Sequence, residues 1–288
     1  MKVARSAAEL GSRDRAVAIG TFDGVHRGHQ QVIAAAVETG LVPTVVTFDP
    51  HPRIALGYGV ELISTLERRL ELFADHGVEE TLVVTFDHEL QQLEPEEFAR
   101  DVLGAIGTQT VVAGETFRFG HRRRGDLALL RELGFDARAV PFLEGISSTE
   151  IRRLLHEGDM AGAAGLLGRP AEVEGTVVVG DERGGTLGFP TANLAVAAQL
   201  LVPAYGIYAG AALGTRAAIS IGTNPHYGGL ERKIEAFLLD FEGDLYGRRL
   251  VVELWQRLRD EQAFKSEQGL IAQIARDVEA TRAATRPS

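Results

Sequence analysis

Ala16-Val17-Ala18-Ile19-Gly20-Thr21-Phe22-Asp23-Gly24-Val25-His26-Arg27-Gly28-His29 is the stretch on which the reading of this chain turns. A run of apolar residues with strand length is followed by a glycine-punctuated loop and then by the start of a helix. That order puts the loop beyond the carboxyl end of a strand, where the ligands of parallel α/β sheets sit. His26 and His29 are three residues apart, so on the first turn of a helix they share a face, roughly 60° apart. Gly28 between them leaves room for a ligand. The unpaired N–H groups and partial positive charge of a helix N-terminus, added to two imidazoles, make a cradle for a triphosphate. Two histidines at this spacing also occur at metal sites and as plain helix caps. The preceding strand and the flanking glycines favour the phosphate.

Working outward, Thr44–Phe48, Leu82–Phe86, Thr110–Gly114 and Ala137–Pro141 are further short β-branched runs. Helical patterns separate them: one opens at Thr65 and stops at Gly77, and another opens at Pro95, where a first turn tolerates proline. Strands alternating with helices predict right-handed crossovers and a doubly wound parallel sheet. After Arg169-Pro170 the texture changes. Glu174–Val179, Ile207–Ala212, Ala217–Ile221, Ile234–Phe241 and Leu250–Leu258 are strand-like with Gly-rich turns between them, which predicts a small antiparallel β-barrel. A terminal helix follows, with Leu270, Ile271, Ile274 and Val278 on one face. Two short helices over Thr149–Leu167 lead to a boundary near Gly168, dividing the chain into domains 1–168 and 169–288.

The 288 residues suit two such domains, and 45% apolar with 24% charged residues is ordinary globular composition. No apolar run approaches the ~20 residues of a bilayer span. Met1–Arg15 has no apolar core of a signal peptide, so the expected location is cytoplasmic, with no membrane partner. Zero cysteines exclude disulfides, thiolate metal sites and cysteine nucleophiles. A net charge of −10 argues against nucleic acid as a partner and leaves small anions bound by local positive groups. Lys2, Lys233 and Lys265 are the only lysines, and no Walker-type phosphate loop is present.

The Gly20–His29 segment resembles the HxGH signature of the nucleotidyltransferase superfamily. In its form Phe22-Asp23-Gly24-Val25-His26 followed by Gly28-His29 it is similar to the bifunctional riboflavin kinase/FAD synthetases. Further segments match that family in order: Phe48–Pro52, Phe117–Gly120 with Gly125-Asp126, and Ile146–Arg152. Gly188–Leu194, Gly222–Pro225, Glu235 ahead of Leu238–Phe241, Gly243–Gly247 and Leu258–Phe264 continue the match through the second half. It covers nearly the whole chain. The resemblance implies two reactions: riboflavin plus ATP to FMN in the C-terminal domain, and FMN plus ATP to FAD and pyrophosphate in the N-terminal one. Both need Mg²⁺.

Carried onto these positions, His26 and His29 stabilise the ATP phosphates, with Gly20, Phe22 and Gly28 shaping the loop. Ser148, Thr149 and Arg152, at the start of a helix, clamp the triphosphate from the other side. Asp23 is either structural or a group that orients the loop. Phe117 and Phe119 either stack on a ring of the substrates or belong to the core, and His121-Arg122-Arg123-Arg124 is a solvated loop or an anchor for the FMN phosphate. In the second domain Thr191 and Asn193, two apart on an extended segment, point to one face and offer oxygens to Mg²⁺. Gly184 and Gly188 let backbone approach phosphates. Glu235, facing the same side as Phe237 and Leu239, is the expected general base for the ribityl 5′-hydroxyl; a pairing with Arg232 or Lys233 is the alternative. Asn224, Arg259 and Phe264 are the flavin-pocket candidates, along with Trp255. The chain departs from the family pattern at Thr116, Gly185 and His226. An adenylyltransferase for a different precursor is disfavoured by the Gly188–Asn193 motif, and a non-catalytic flavin-binding regulator by the intact catalytic positions.

Overall fold

The computed structural model describes residues 1–180, 189–224 and 231–288, with backbone alone at 224, 231 and 232. The chain divides into two compact units, Met1–Ser148 and Thr149–Ser288.

In the first unit, strands β1 (Lys2–Ala4), β2 (Arg15–Ile19), β3 (Val42–Asp49), β4 (Glu80–Thr85), β5 (Thr108–Gly114) and β6 (Asp136–Val140) form one sheet in the order β1-β4-β3-β2-β5-β6. All five pairings are parallel. The predicted doubly wound sheet is present, with β1 as an edge strand whose three residues are too few to show an alternation. Helices α1 (Ala7–Leu10), α2 (Arg27–Val37), α3 (Pro52–Ala55), α4 (Leu66–Asp75), α5 (His88–Gln92), α6 (Pro95–Phe98) and α7 (Leu127–Glu132) fill the connections.

Period-two alternation explains why β2 is buried on both faces. Val17 and Ile19 pack with Val46, Phe48, Phe98 and Leu103 on one side, while Ala16 and Ala18 pack with Ile33, Phe73 and Val45 on the other. Each large side chain so buried contributes about 1.5–3 kcal/mol. At the foot of β2 the fully buried Arg15 pairs its Nε with Glu80 at 2.7 Å and donates to the carbonyls of Leu10, Gly11 and Ile106. At the head of β2 the connection to β3 leaves one way while β5 lies on the other side. That divergence opens a crevice at the strand ends, and the Gly20–His29 loop stands there.

Helices α8 (Ser148–Glu157) and α9 (Met160–Leu167) lead into the second unit, whose strands are β7 (Ala171–Val178), β8 (Ala192–Ala195), β9 (Gly206–Ala212), β10 (Thr215–Asn224), β11 (Glu231–Leu238) and β12 (Arg249–Arg259). They close into a barrel in the order β10-β11-β8-β7-β12-β9, each pairing antiparallel. Helix α10 (Glu267–Ala283) ends the fold. Arg216 caps its carboxyl end, donating from Nη1 to Thr281 O (3.0 Å) and Ala284 O (2.6 Å). Arg259 holds the preceding turn through Asp277 at 2.7 Å. Among the described residues no helix is long and apolar enough to cross a membrane.

Candidate active site

The loop after β2 is held in an unusual backbone path. Phe22 (φ 53°), Gly24 (φ 80°) and the β-branched Val25 (φ 41°) all lie in the left-handed region, which L side chains adopt only when the surroundings over-determine it. Those surroundings come from 40 residues away: the Asp23 carboxylate, buried, accepts the N–H groups of Ile63 (2.9 Å) and Ser64 (3.2 Å), and Ser64 Oγ accepts the N–H of Gly24 (2.9 Å). Asp23 therefore orients the loop.

This path delivers His26 to the N-cap of α2, where its Nδ1 accepts the N–H of His29 at 3.3 Å. The two imidazoles stack, centroids 3.6 Å apart and planes 17° apart. The Phe22 ring meets His29 edge-on at 5.3 Å and Phe73 at 5.6 Å, which ties the histidine pair to the core. The space above Gly28 is filled by His26 itself: a Cβ there would lie 3.2 Å from His26 Cε1. The expected room for a ligand between the two histidines is therefore taken up by their own stacked rings. His29 Nδ1 is buried with no hydrogen-bond partner. Burial, then the neighbouring His26 and Arg69, hold the His29 imidazole well below its usual range, so it is neutral at pH 7.

Gly20, just after β2, donates its N–H to Val46 O (3.1 Å). Ser148, the first residue of α8, donates its hydroxyl to Asp23 O at 3.1 Å and so reaches the same loop. Thr149 and Arg152 follow on the first turns of α8. Phe117 stacks on Phe119 at 5.6 Å and packs against the core, with Phe119 buried against Phe98. In the basic run, His121 approaches Gln91 O at 3.1 Å and Arg124 pairs with Glu94, while Arg122 and Arg123 are exposed.

In the barrel, Asn193 of β8 stands directly opposite Glu235 of β11. Asn193 is 8% exposed, and its Oδ1 is buried without a partner. An orphaned amide oxygen beside a carboxylate is a donor set suited to a hard cation, which makes the pair, with the half-buried Thr191 just before β8, fit for Mg²⁺. Gly180 packs on the same amide: a Cβ at that position would overlap the Asn193 carboxamide. The Glu235 carboxylate lies 2.8 Å from Lys233 Nζ, at 31% side-chain exposure, open enough to meet a substrate.

Asn224 ends β10, and its side chain lies outside the described residues, as do Gly184, Gly188 and the departures Gly185 and His226. Arg259 is committed to Asp277 through both carboxylate oxygens, and Phe264 is half-buried just ahead of α10. Trp255 is buried, its indole N–H donating to Glu253 (2.6 Å) with Arg216 over its ring. Asp23 and Gly180 gained their roles only from the folded chain, since their partners lie 40 and 13 residues away in sequence.

Comparison with known proteins finds a different family in each half of the chain. Residues 9–149 match the FAD synthetase family and residues 167–285 the riboflavin kinase family. A bifunctional riboflavin kinase/FMN adenylyltransferase of Listeria monocytogenes is 37% identical over 292 residues, covering 94% of this chain and 92% of that protein. Its counterpart in Escherichia coli K12 is 39% identical over 279 residues, covering 90% and 89%. A crystal structure from Streptococcus pneumoniae, described as a macrolide-efflux protein, superposes with a TM-score of 0.85 at 32% identity, covering 97% of this chain and 98% of that one. With an HxGH-type parallel sheet in one half, a closed barrel in the other and relatives matched almost end to end, the chain belongs to the bifunctional riboflavin kinase/FMN adenylyltransferase family.

Proposed function

We infer that the chain makes FMN and then FAD: the 5′-hydroxyl of riboflavin takes the γ-phosphoryl group of ATP, and the phosphate of FMN then takes the adenylyl group of a second ATP. The observation that carries the reading is the presence of one polar constellation in each unit, the stacked His26–His29 pair and the facing Asn193–Glu235 pair.

In the kinase step Glu235 accepts the hydroxyl proton as the ribityl oxygen bonds to the γ-phosphorus and ADP leaves. Lys233 orients that carboxylate, and Asn193 and Thr191 would hold Mg²⁺, with Gly184 and Gly188 admitting the phosphates to the backbone. Bound there, Mg²⁺ supplies charge neutralisation at the transferring phosphoryl oxygens. In the adenylyl step an FMN phosphate oxygen bonds to the α-phosphorus and the bond to pyrophosphate breaks. His26, His29 and the N-terminus of α2 present donors to the polyphosphate, and Ser148, Thr149 and Arg152 complete the clamp. Neither step needs a covalent protein intermediate, in keeping with a chain that has no cysteine. Phe117 and, in the barrel, Asn224, Arg259 and Phe264 are assigned to the flavin surfaces. The adenylyl module is placed at 1–168 and the kinase module at 169–288. We propose a cytoplasmic location, supported by the use of ATP as co-substrate in both steps, and small molecules rather than nucleic acid as partners, supported by the net charge of −10.

The test is incubation of the purified chain with riboflavin, ATP and Mg²⁺, with separation of the flavins by chromatography. Both FMN and FAD are expected; FMN without FAD would remove the adenylyl assignment. His29→Ala is expected to abolish FAD formation and spare FMN formation, and a folded His29→Ala protein deficient in both would refute the division of labour.

A further inference from the structure

Arg69 on α4 is buried to 2% exposure beneath the strand ends of the first unit. Its Nη1 donates to the carbonyl of Thr21 (2.6 Å), in the loop leading to His26, and to the hydroxyl of Thr47 (3.2 Å), near the end of β3. Thr47 in turn donates to the same Thr21 carbonyl at 3.3 Å. Two observations set this arginine apart from a structural one such as Arg15. Its Nε is buried with no hydrogen-bond partner. Among the described residues no carboxylate forms an ion pair with it, whereas Arg15 has Glu80. Asp23 and Asp49 act on it only through their fields; Asp23 spends an oxygen on the Ile63 and Ser64 N–H groups, and Asp49 lies 3.6 Å from Arg5.

A buried guanidinium without a counter-ion costs stability, because its desolvation is not repaid. Its hydrogen bonds do not explain it either, since the Thr21 carbonyl keeps the Thr47 hydroxyl without it. Nearby is a second orphan, His29 Nδ1, on which the charge of Arg69 bears. A buried guanidinium with one nitrogen unpaired, balanced only by the fields of Asp23 and Asp49 and set under the histidine loop, suits a ligand that brings negative charge to that loop. We propose that Arg69 is a positioning residue of adenylyl transfer, which fixes the Thr21 carbonyl below the histidine loop and supplies the buried counter-charge for the polyphosphate bound at His26 and His29. This rests on the adenylyltransferase reading above.

Arg69→Met and Arg69→Gln in the full chain remove the charge, and Arg69→Lys keeps it. Each is followed by thermal unfolding without nucleotide, by FAD formation from supplied FMN and Mg-ATP, and by FMN formation from riboflavin. The two neutral variants are expected to melt no lower than the parent and to lose about 10- to 1000-fold in kcat/KM for ATP in FAD formation. The KM for FMN is expected to stay unchanged, Arg69→Lys to recover a large part of the loss, and FMN formation to be equal in all four proteins. If both neutral variants fail to fold or melt lower, the charge serves the fold and the proposal is overturned. It is equally overturned if they make FAD within roughly threefold of the parent. A parent chain that makes no FAD at all would instead overturn the adenylyltransferase reading, a result distinct from either.

Discussion

Asn193 and Glu235 face each other across β8 and β11, so an amide oxygen with no partner and a carboxylate share one patch of the barrel. β-pairing is what creates this patch: 42 residues apart in sequence, the two side chains are brought onto adjacent strands in fixed register, with no dependence on loop conformation.

Glu235→Gln keeps the shape of the side chain and one acceptor oxygen, and removes its charge and basicity. FMN formation should fall by about 10²- to 10⁴-fold, the usual worth of a positioned base. FAD formation from supplied FMN should be unchanged, which steady-state assays of each step with flavin separation will check.

Gly180→Ala should act on the kinase through the metal requirement. The added methyl overlaps the Asn193 carboxamide and turns its oxygen away from the patch. A Mg²⁺ titration of FMN formation should show half-activation moved to higher concentration, with FAD formation from FMN unaffected. An unchanged titration curve would show that Asn193 does not hold the ion.

The depressed pKa of His29 makes stability depend on pH. In the unfolded chain the imidazole takes up a proton as pH falls through its ordinary value of 6.5, whereas in the folded protein it does so only at lower pH. Stability is therefore full above about pH 6.5 and is lost progressively as pH falls through the folded pKa. Melting temperatures between neutral pH and mildly acid pH should fall less steeply for His29→Asn than for the parent.

Arg259 has a structural task whatever it contributes to the flavin surface. Arg259→Met leaves Asp277 without its cation on the buried side of α10, and should cost about 3 kcal/mol. Urea unfolding followed by tryptophan fluorescence will read it, since Trp255 lies in the same sheet and packs near the helix's end. A midpoint equal to the parent's would mean that the ion pair contributes nothing measurable.

The fold was legible where patterning is local. The runs at Thr44 and Thr110 lie within β3 and β5, which are apolar almost throughout because they are buried on both faces, while those at Leu82 and Ala137 cover β4 and the edge strand β6 but run past their ends at Phe86 and Pro141. β1 was not legible: its three residues are strand only because β4 offers them a parallel edge. In the site, His26 and His29 could be read from strand, glycine and helix signals. Their stacking, and the neutral state it helps to impose on His29, could not be read. The same holds for Asp23, whose partners Ile63 and Ser64 have no local relation to it, and for Arg69, whose burial depends on how α4 lies against β2 and β3. Helix periodicity located α4 without saying which of its arginines would be drawn inward.

The way both sheets end bears on how copies of this chain behave together. The barrel closes on itself and exposes no free margin. The parallel sheet has two, of which β1 is three residues long and β6 carries the exposed Asp136–Arg138 pair. Short or charged margins are poor templates for adding a strand from another molecule. Aggregation by strand addition must therefore begin with local opening, so its rate should follow the unfolding equilibrium of the unit concerned rather than protein concentration alone.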